Sequence, residues 1–260
     1  MLRPLNRLLD VNTSLLASTF AGWRGSMRLR AATQLPAKPL ELYEFEASPY
    51  CRLVREALTE LDLDALVLPC PQGGKRFRPK VKTLGGKHQY PFLVDPNTGA
   101  RLYESAEIIA YLARTYGGGA RTQAGLRRRL AIGGNYAATV ARGWRGLRGF
   151  RSRPSNAPKK PLELYSFESS PFSRLAREVL CELELPYLLR NTGKARMTDM
   201  GPPSFRDRLF RAPKDTSRNR RALLERTGRV QVPYLIDPNT GVEMYESAAI
   251  IDYLQKTYAK

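Results

Sequence analysis

Apolar residues along this chain change period in a fixed way. Leu40, Leu42 and Phe45 mark a β-like segment, and from there the apolar positions move to helical spacing as Leu53, Val54, Ala57, Leu58 and Leu61. The same change recurs from Leu162 onward, with Leu175, Ala176, Val179, Leu180 and Leu183 on the second helical face. Setting residues 39–63 against 161–185 gives 17 identities in 25 positions, so the chain carries one unit twice. A short run, Ala65 to Leu68 or Tyr187 to Leu189, follows each helix and predicts a second strand, parallel to the first after the crossover. A basic loop or helix comes next, from Gly73 to Lys87 and, in a copy 20 residues longer, from Ser204 to Arg229. Tyr90-Pro91 and Val232-Pro233 then open a third strand. An Asp-Pro-Asn-Thr-Gly turn leads to a fourth through Leu102-Tyr103 and Met244-Tyr245. Ser105 to Tyr116 and Ser247 to Tyr258 close the units as helices, which makes each βαβαββα. Proline at a strand mouth donates no ladder hydrogen bond, so its recurrence in both copies points to a special backbone there, with a cis peptide.

Chemistry enters at the first strand-to-helix junction, Ser48-Pro49-Tyr50-Cys51, repeated as Ser170-Pro171-Phe172-Ser173. Serine suits an N-cap and proline the first helical position, so each copy presents a hydroxyl and free N–H groups at the positive end of a helix. That end can hold an anion or a thiolate; equally, the serines serve as caps and nothing more.

Charge widens the choice of partner. The 260 residues hold 43 Lys and Arg against 24 Asp and Glu, a formal charge of +19, which favours anionic partners without choosing among them. Leu15, Leu16, Phe20 and Trp23 lie among arginines before the first unit, and Gly22-Trp23-Arg24-Gly25 reappears as Gly143-Trp144-Arg145-Gly146 before the second. These segments predict basic amphipathic helices, each packing on its own unit with Trp as anchor or else lying on an anionic membrane surface. A nucleic-acid partner is disfavoured, because the charge comes with no recognition motif. Cys51, Cys70 and Cys181 have neither disulfide nor metal-ligand patterning, which fits a reducing compartment such as the cytoplasm. No apolar run approaches the roughly 18 residues that span a bilayer. Only the first dozen residues stay open as an organelle address.

Three features recur in order in both copies: Ser-Pro-aromatic at the first helix, Gln-apolar-Pro before the third strand, and Tyr-Glu-Ser before the last helix. With the element order, they resemble the thioredoxin-like amino-terminal domain of glutathione S-transferases, present twice, over about residues 40–116 and 162–258. The resemblance implies an α/β chain of two tandem thioredoxin-like βαβαββα domains, each preceded by a basic amphipathic helix, with no all-helical transferase carboxy-terminal domain. The expected divisions are 1–38 (basic segment), 39–118 (domain one), 119–160 (basic helical linker) and 161–260 (domain two), with the two domains packed on each other. Glutathione is the implied ligand or co-substrate. Ser48 and Ser170 match the family's serine that hydrogen-bonds the glutathione sulfur. Gln89, Tyr90 and Pro91, with Gln231, Val232 and Pro233, match the stretch that holds its peptide. Glu104 and Ser105, with Glu246 and Ser247, match the pair that grips its γ-glutamyl end.

Two departures qualify this activity. The stretch from Gly117 to Lys160 is too short for a helical domain and the sequence stops at Lys260, so an electrophile pocket would have to come from the paired units or a second chain. Ser48-Pro49-Tyr50-Cys51 is also similar to a glutaredoxin Cys-Pro-Tyr-Cys with its first cysteine replaced. Cys51 could then act as a monothiol if its helix position lowers its pKa. The alternatives are a non-catalytic glutathione-binding scaffold and a peripheral membrane protein. Cys181 reads as core, and His88 as a loop residue and not a general base.

Overall fold

The computed structural model describes residues 4–119, 125–143, 147–196, 199 and 215–260. Helix α1 (Pro4–Phe20) comes first. The first unit follows as β1 (Leu40–Glu44), α2 (Pro49–Glu60), β2 (Ala65–Pro69), α3 (Arg78–Gly85), β3 (Phe92–Asp95), β4 (Ala100–Tyr103) and α4 (Ser105–Thr115). Helix α5 (Gly125–Ala141) then leads to β5 (Leu162–Ser166), α6 (Pro171–Glu182), β6 (Tyr187–Asn191), α7 (Arg218–Thr227), β7 (Tyr234–Asp237), β8 (Val242–Tyr245) and α8 (Ser247–Tyr258). The part of the long basic loop from 204 to 214, and Trp144 to Gly146, lie outside the described residues.

All eight strands form one sheet in the order β4-β3-β1-β2-β6-β5-β7-β8. Each half pairs its first two strands parallel and its hairpin antiparallel. The halves join through β2 and β6, antiparallel with Leu66 opposite Leu188, so each covers the other's unpaired edge. On one face Leu42, Val54, Leu58, Leu93, Ile108 and Leu112 pack under α2 and α4, and their equivalents pack under α6 and α8. The other face is covered by α3 over Tyr43 and Phe92 and by α7 over Tyr165 and Tyr234.

The basic helices are placed differently from the reading in which each sits on its own unit. Helix α1, before the first unit, packs on α6 of the second; α5, before the second, packs on α2 of the first; and the two helices pack on each other. The connectors show why the path crosses. After α1 the chain runs between the units, where Met27 bridges Lys194; after α5, Arg151 bridges Gln72. Gly25 (φ 68°) lies where a Cβ would fall 2.8 Å from Glu168 Cβ, and Gly149 (φ 73°) where one would fall 2.8 Å from Glu46 Cβ. Small residues of α1 (Ser14, Ala17, Ser18), with Ala21 in the turn after it, face the protein, whereas Leu8, Leu16 and Phe20 are more than half exposed. The large apolar residues of α1 are therefore not its packing anchors. Among the described residues no helix is long and apolar enough to cross a membrane.

Candidate functional site

Each unit brings its three motifs to one end of the sheet. Ser48 caps α2 from extended backbone, and its Oγ accepts from Cys51 N at 3.2 Å. Ser170 caps α6 in the same way, accepting from Ser173 N at 3.3 Å. Proline at the first helical position leaves the cap hydroxyl to serve the third N–H, so the Ser-Pro sequence builds this turn locally. The Tyr90–Pro91 and Val232–Pro233 peptides are cis.

The last motif sits at the starts of α4 and α8. Glu104 (φ 61°) and Glu246 (φ 69°) hold left-handed backbone directly before each helix, a conformation that L-residues enter at a cost and that clusters at ligand sites. Gln89 Nε2 donates to Glu104 Oε1, and Gln231 Nε2 donates to Glu246 Oε1 at 2.7 Å. Both glutamates are exposed, whereas Ser105 and Ser247 behind them are buried, and Ser105 Oγ has no hydrogen-bond partner. An exposed carboxylate beside a helix N-terminus with a free hydroxyl offers complementary partners for an ammonium and a carboxylate on one small molecule.

The Ser-Pro end is covered. Ser48 and Ser170 are only 3% and 2% exposed. Thr139 Oγ1 of α5 donates to Ala47 O at 2.9 Å, and Tyr136 OH donates to Tyr50 OH at 3.3 Å. Over the second unit, Ser18 Oγ and Ser14 Oγ of α1 donate to Ser169 O (2.8 Å) and Pro171 O (2.7 Å). These covering contacts were not anticipated. The usable signal was that Ser18 and Thr139 each stand four residues before a copy of the Gly-Trp-Arg-Gly segment.

Cys51 does not have the lowered pKa that a monothiol role needs. It is wholly inaccessible, and burial, reinforced by the Glu44 charge, pushes its thiol up to about 12 against the weaker pull of the Ser48 hydrogen bond. Cys181 is buried at the carboxy-terminal end of α6, donating to Gly149 O at 3.3 Å. His88 is exposed. A cavity of about 550 Å³ opens between α2, α4 and α5, lined by Leu53, Ala57 and Ile109 with Glu60, Arg30 and Arg128. Burial, with the nearby Glu56 charge, pushes Glu60 up to about 7. Ser48 is not part of the cavity wall.

Comparison with known proteins places these motifs in a family. A structure of a Bombyx mori glutathione transferase in complex with GTT is 30% identical over 32% of this chain and 38% of that one, with a TM-score of 0.29. A delta-class glutathione transferase of Nilaparvata lugens is 31% identical over 30% of this chain and 36% of that one (TM-score 0.25). The Leishmania trimeric glutathione transferase TDR1 is 14% identical over 86% of this chain and 68% of that one (TM-score 0.27). The chain thus spans well under half the length of the two insect enzymes. No curated protein matches it. The family model of the glutathione S-transferase N-terminal domain matches residues 42–120 and again 164–260, and the chain belongs to that family.

Proposed function

We propose that this chain is a tandem pair of thioredoxin-like domains that binds glutathione, gripping the γ-glutamyl end and the peptide in each unit. One observation carries this reading: in both copies a glutamine amide is tied to a glutamate held at positive φ directly before a helix whose first residue is a buried serine. Glu104 and Glu246 would take the ammonium, Ser105 and Ser247 the carboxylate, and Gln89-Tyr90-Pro91 and Gln231-Val232-Pro233 the peptide. Ser48 and Ser170 would stabilise the glutathione thiolate as in a transferase. Each hydroxyl is buried under α5 or α1, so recognition is better supported than conjugation, and thiol chemistry requires the covering helix to withdraw.

Calorimetric titration of the full chain with reduced glutathione tests this. Two sites are expected, with Glu104→Ala and Glu246→Ala each removing one; no heat and no thermal shift at millimolar glutathione would sink the reading. A comparison of Ser48→Ala and Ser170→Ala with wild type on a panel of electrophiles then separates conjugation from binding.

A second reading, peripheral attachment to an anionic membrane, is favoured by the outward apolar residues of α1 and α5. Leu16, Phe20, Leu130 and Val140 are all more than half exposed, beside the arginines Arg127 and Arg129. Flotation with anionic liposomes tests it.

A further inference from the structure

Arg52 and Arg174 occupy equivalent places near the starts of α2 and α6, and they are 2% and 1% exposed. Both line one small cavity between the units, with Glu46, Arg142, Arg148 and Glu178 around it. The cavity has about 10 Å³ of free volume, room for a single particle near the size of water.

The charges around it do not balance. Arg55 pairs with Glu44, Glu46 and Glu168, and Arg177 pairs with Glu46 and Glu168. Arg142 pairs with Glu178 at 2.6 Å and with Asp10, and Arg148 with Asp10 at 3.8 Å. Arg52 and Arg174 are the poorly matched members among the described residues. The Arg52 ion pair with Glu168 is 3.8 Å long, and its Nε and Nη1 have no hydrogen-bond partner. Arg174 donates through Nη1 to Ser14 O (2.6 Å) and Ser14 Oγ (3.2 Å), while its Nε and Nη2 have no partner. The six arginines Arg52, Arg55, Arg142, Arg148, Arg174 and Arg177 thus face the five carboxylates of Asp10, Glu44, Glu46, Glu168 and Glu178, while Glu56, which also acts on Arg52, is itself paired with Arg24 at 3.0 Å. Burial and the Arg52 charge pull Arg174 down to about 9, as expected of a guanidinium short of counter-charge.

We propose that Arg52 and Arg174, one from each unit, together bind a small monovalent anion, chloride in the cell, in the cavity between the two halves. A guanidinium stays protonated in proteins, and a buried charge without counter-charge or acceptor is expensive. One halide supplies both the missing charge and an acceptor for N–H groups that no protein atom reaches. A phosphate or sulfate is far too large for the space, whereas a chloride, somewhat larger than water, needs the two guanidinium side chains to draw back only slightly. A water would satisfy N–H groups and leave the charge uncompensated. The site is structural, since it fastens one unit to the other, and it is separate from the Glu-Ser grips.

Crystals of the full chain grown in sodium bromide, measured at the bromine edge, give the direct test. Thermal unfolding in sodium chloride or bromide, against sodium gluconate at equal ionic strength, gives the second. An anomalous peak between the two guanidinium groups is expected, with a saturable rise in Tm of several degrees in the halides. Arg174→Met should lose both the peak and the halide dependence. Both wild-type measurements stand even if that variant does not fold. No anomalous density between the arginines, density only at the surface, or a Tm indifferent to anion identity would each overturn the proposal.

Discussion

Arg55 and Glu168, from different units, meet at 2.8 Å with both side chains inaccessible, and Arg177 and Glu46 repeat the pair at 3.1 Å in the opposite sense. The reciprocity makes the centre of the molecule an approximate two-fold, with antiparallel β2 and β6 beside it. Glu168 serves Arg52, Arg55 and Arg177 together, and these three charges, outweighing the cost of its burial, hold it down at about 2. Removing it leaves three arginines short of counter-charge. Glu168→Gln should cost about 3–5 kcal/mol by urea unfolding, whereas Arg55→Met combined with Glu168→Leu should cost less than the two singles together. Full additivity would show that the pair is not a coupled unit.

Much of this was legible beforehand. The element order, the duplicated Ser-Pro caps and the Glu-Ser helix starts follow from local rules, because period, capping and turn chemistry act within a few residues. The crossing of α1 and α5 does not, because it depends on where the connectors find room, namely at Gly25 and Gly149 between the units. Arg52, Arg55, Arg174 and Arg177 stand between the apolar positions of two helices, in the sequence places of ordinary solvated polar residues. Nothing local shows that those sides face each other once β2 meets β6.

Asp95 gives the first unit a contribution to stability that is lost in acid, and Asp237 does the same for the second. Burial raises the pKa of each, but hydrogen bonds from Tyr111, Tyr116 and Asn97, or from Tyr253, Tyr258 and Asn239, outweigh it and hold each below the usual carboxylate range. A lowered folded pKa gives stability that is complete above the unfolded value of about 3.9 and lost as pH falls through the folded one. Tyr116→Phe removes a 2.5 Å donor to Asp95 and should cost about 1.5–3 kcal/mol at neutral pH, less in strong acid. Urea midpoints measured from pH 7 downward check both the size and the slope.

Cys51 should be inert while the fold is intact. Its thiol is inaccessible and pushed up to about 12, so little thiolate forms at pH 8 and no reagent reaches it. Alkylation followed by intact mass should show negligible labelling until denaturant is added. Fast labelling of Cys51 in the native protein would restore the monothiol reading.

The connector glycines separate conformational strain from steric exclusion. Gly22 (φ 64°) has nothing within 4 Å of where a Cβ would stand, so Gly22→Ala pays only for left-handed backbone, about 1–2 kcal/mol. Gly25 (φ 68°) adds contacts of 2.8 Å with Glu168 Cβ and 3.1 Å with Glu56 Cα. Glu56 Cα is helix backbone and Glu168 is fixed by its ion pairs, so neither gives way cheaply. Gly25→Ala should therefore lose clearly more stability than Gly22→Ala, and part of that loss should vanish when Glu168 is already Gln, because the neighbour can then move. Equal unfolding midpoints for the two alanine variants would mean that the connector does not pack between the units as described.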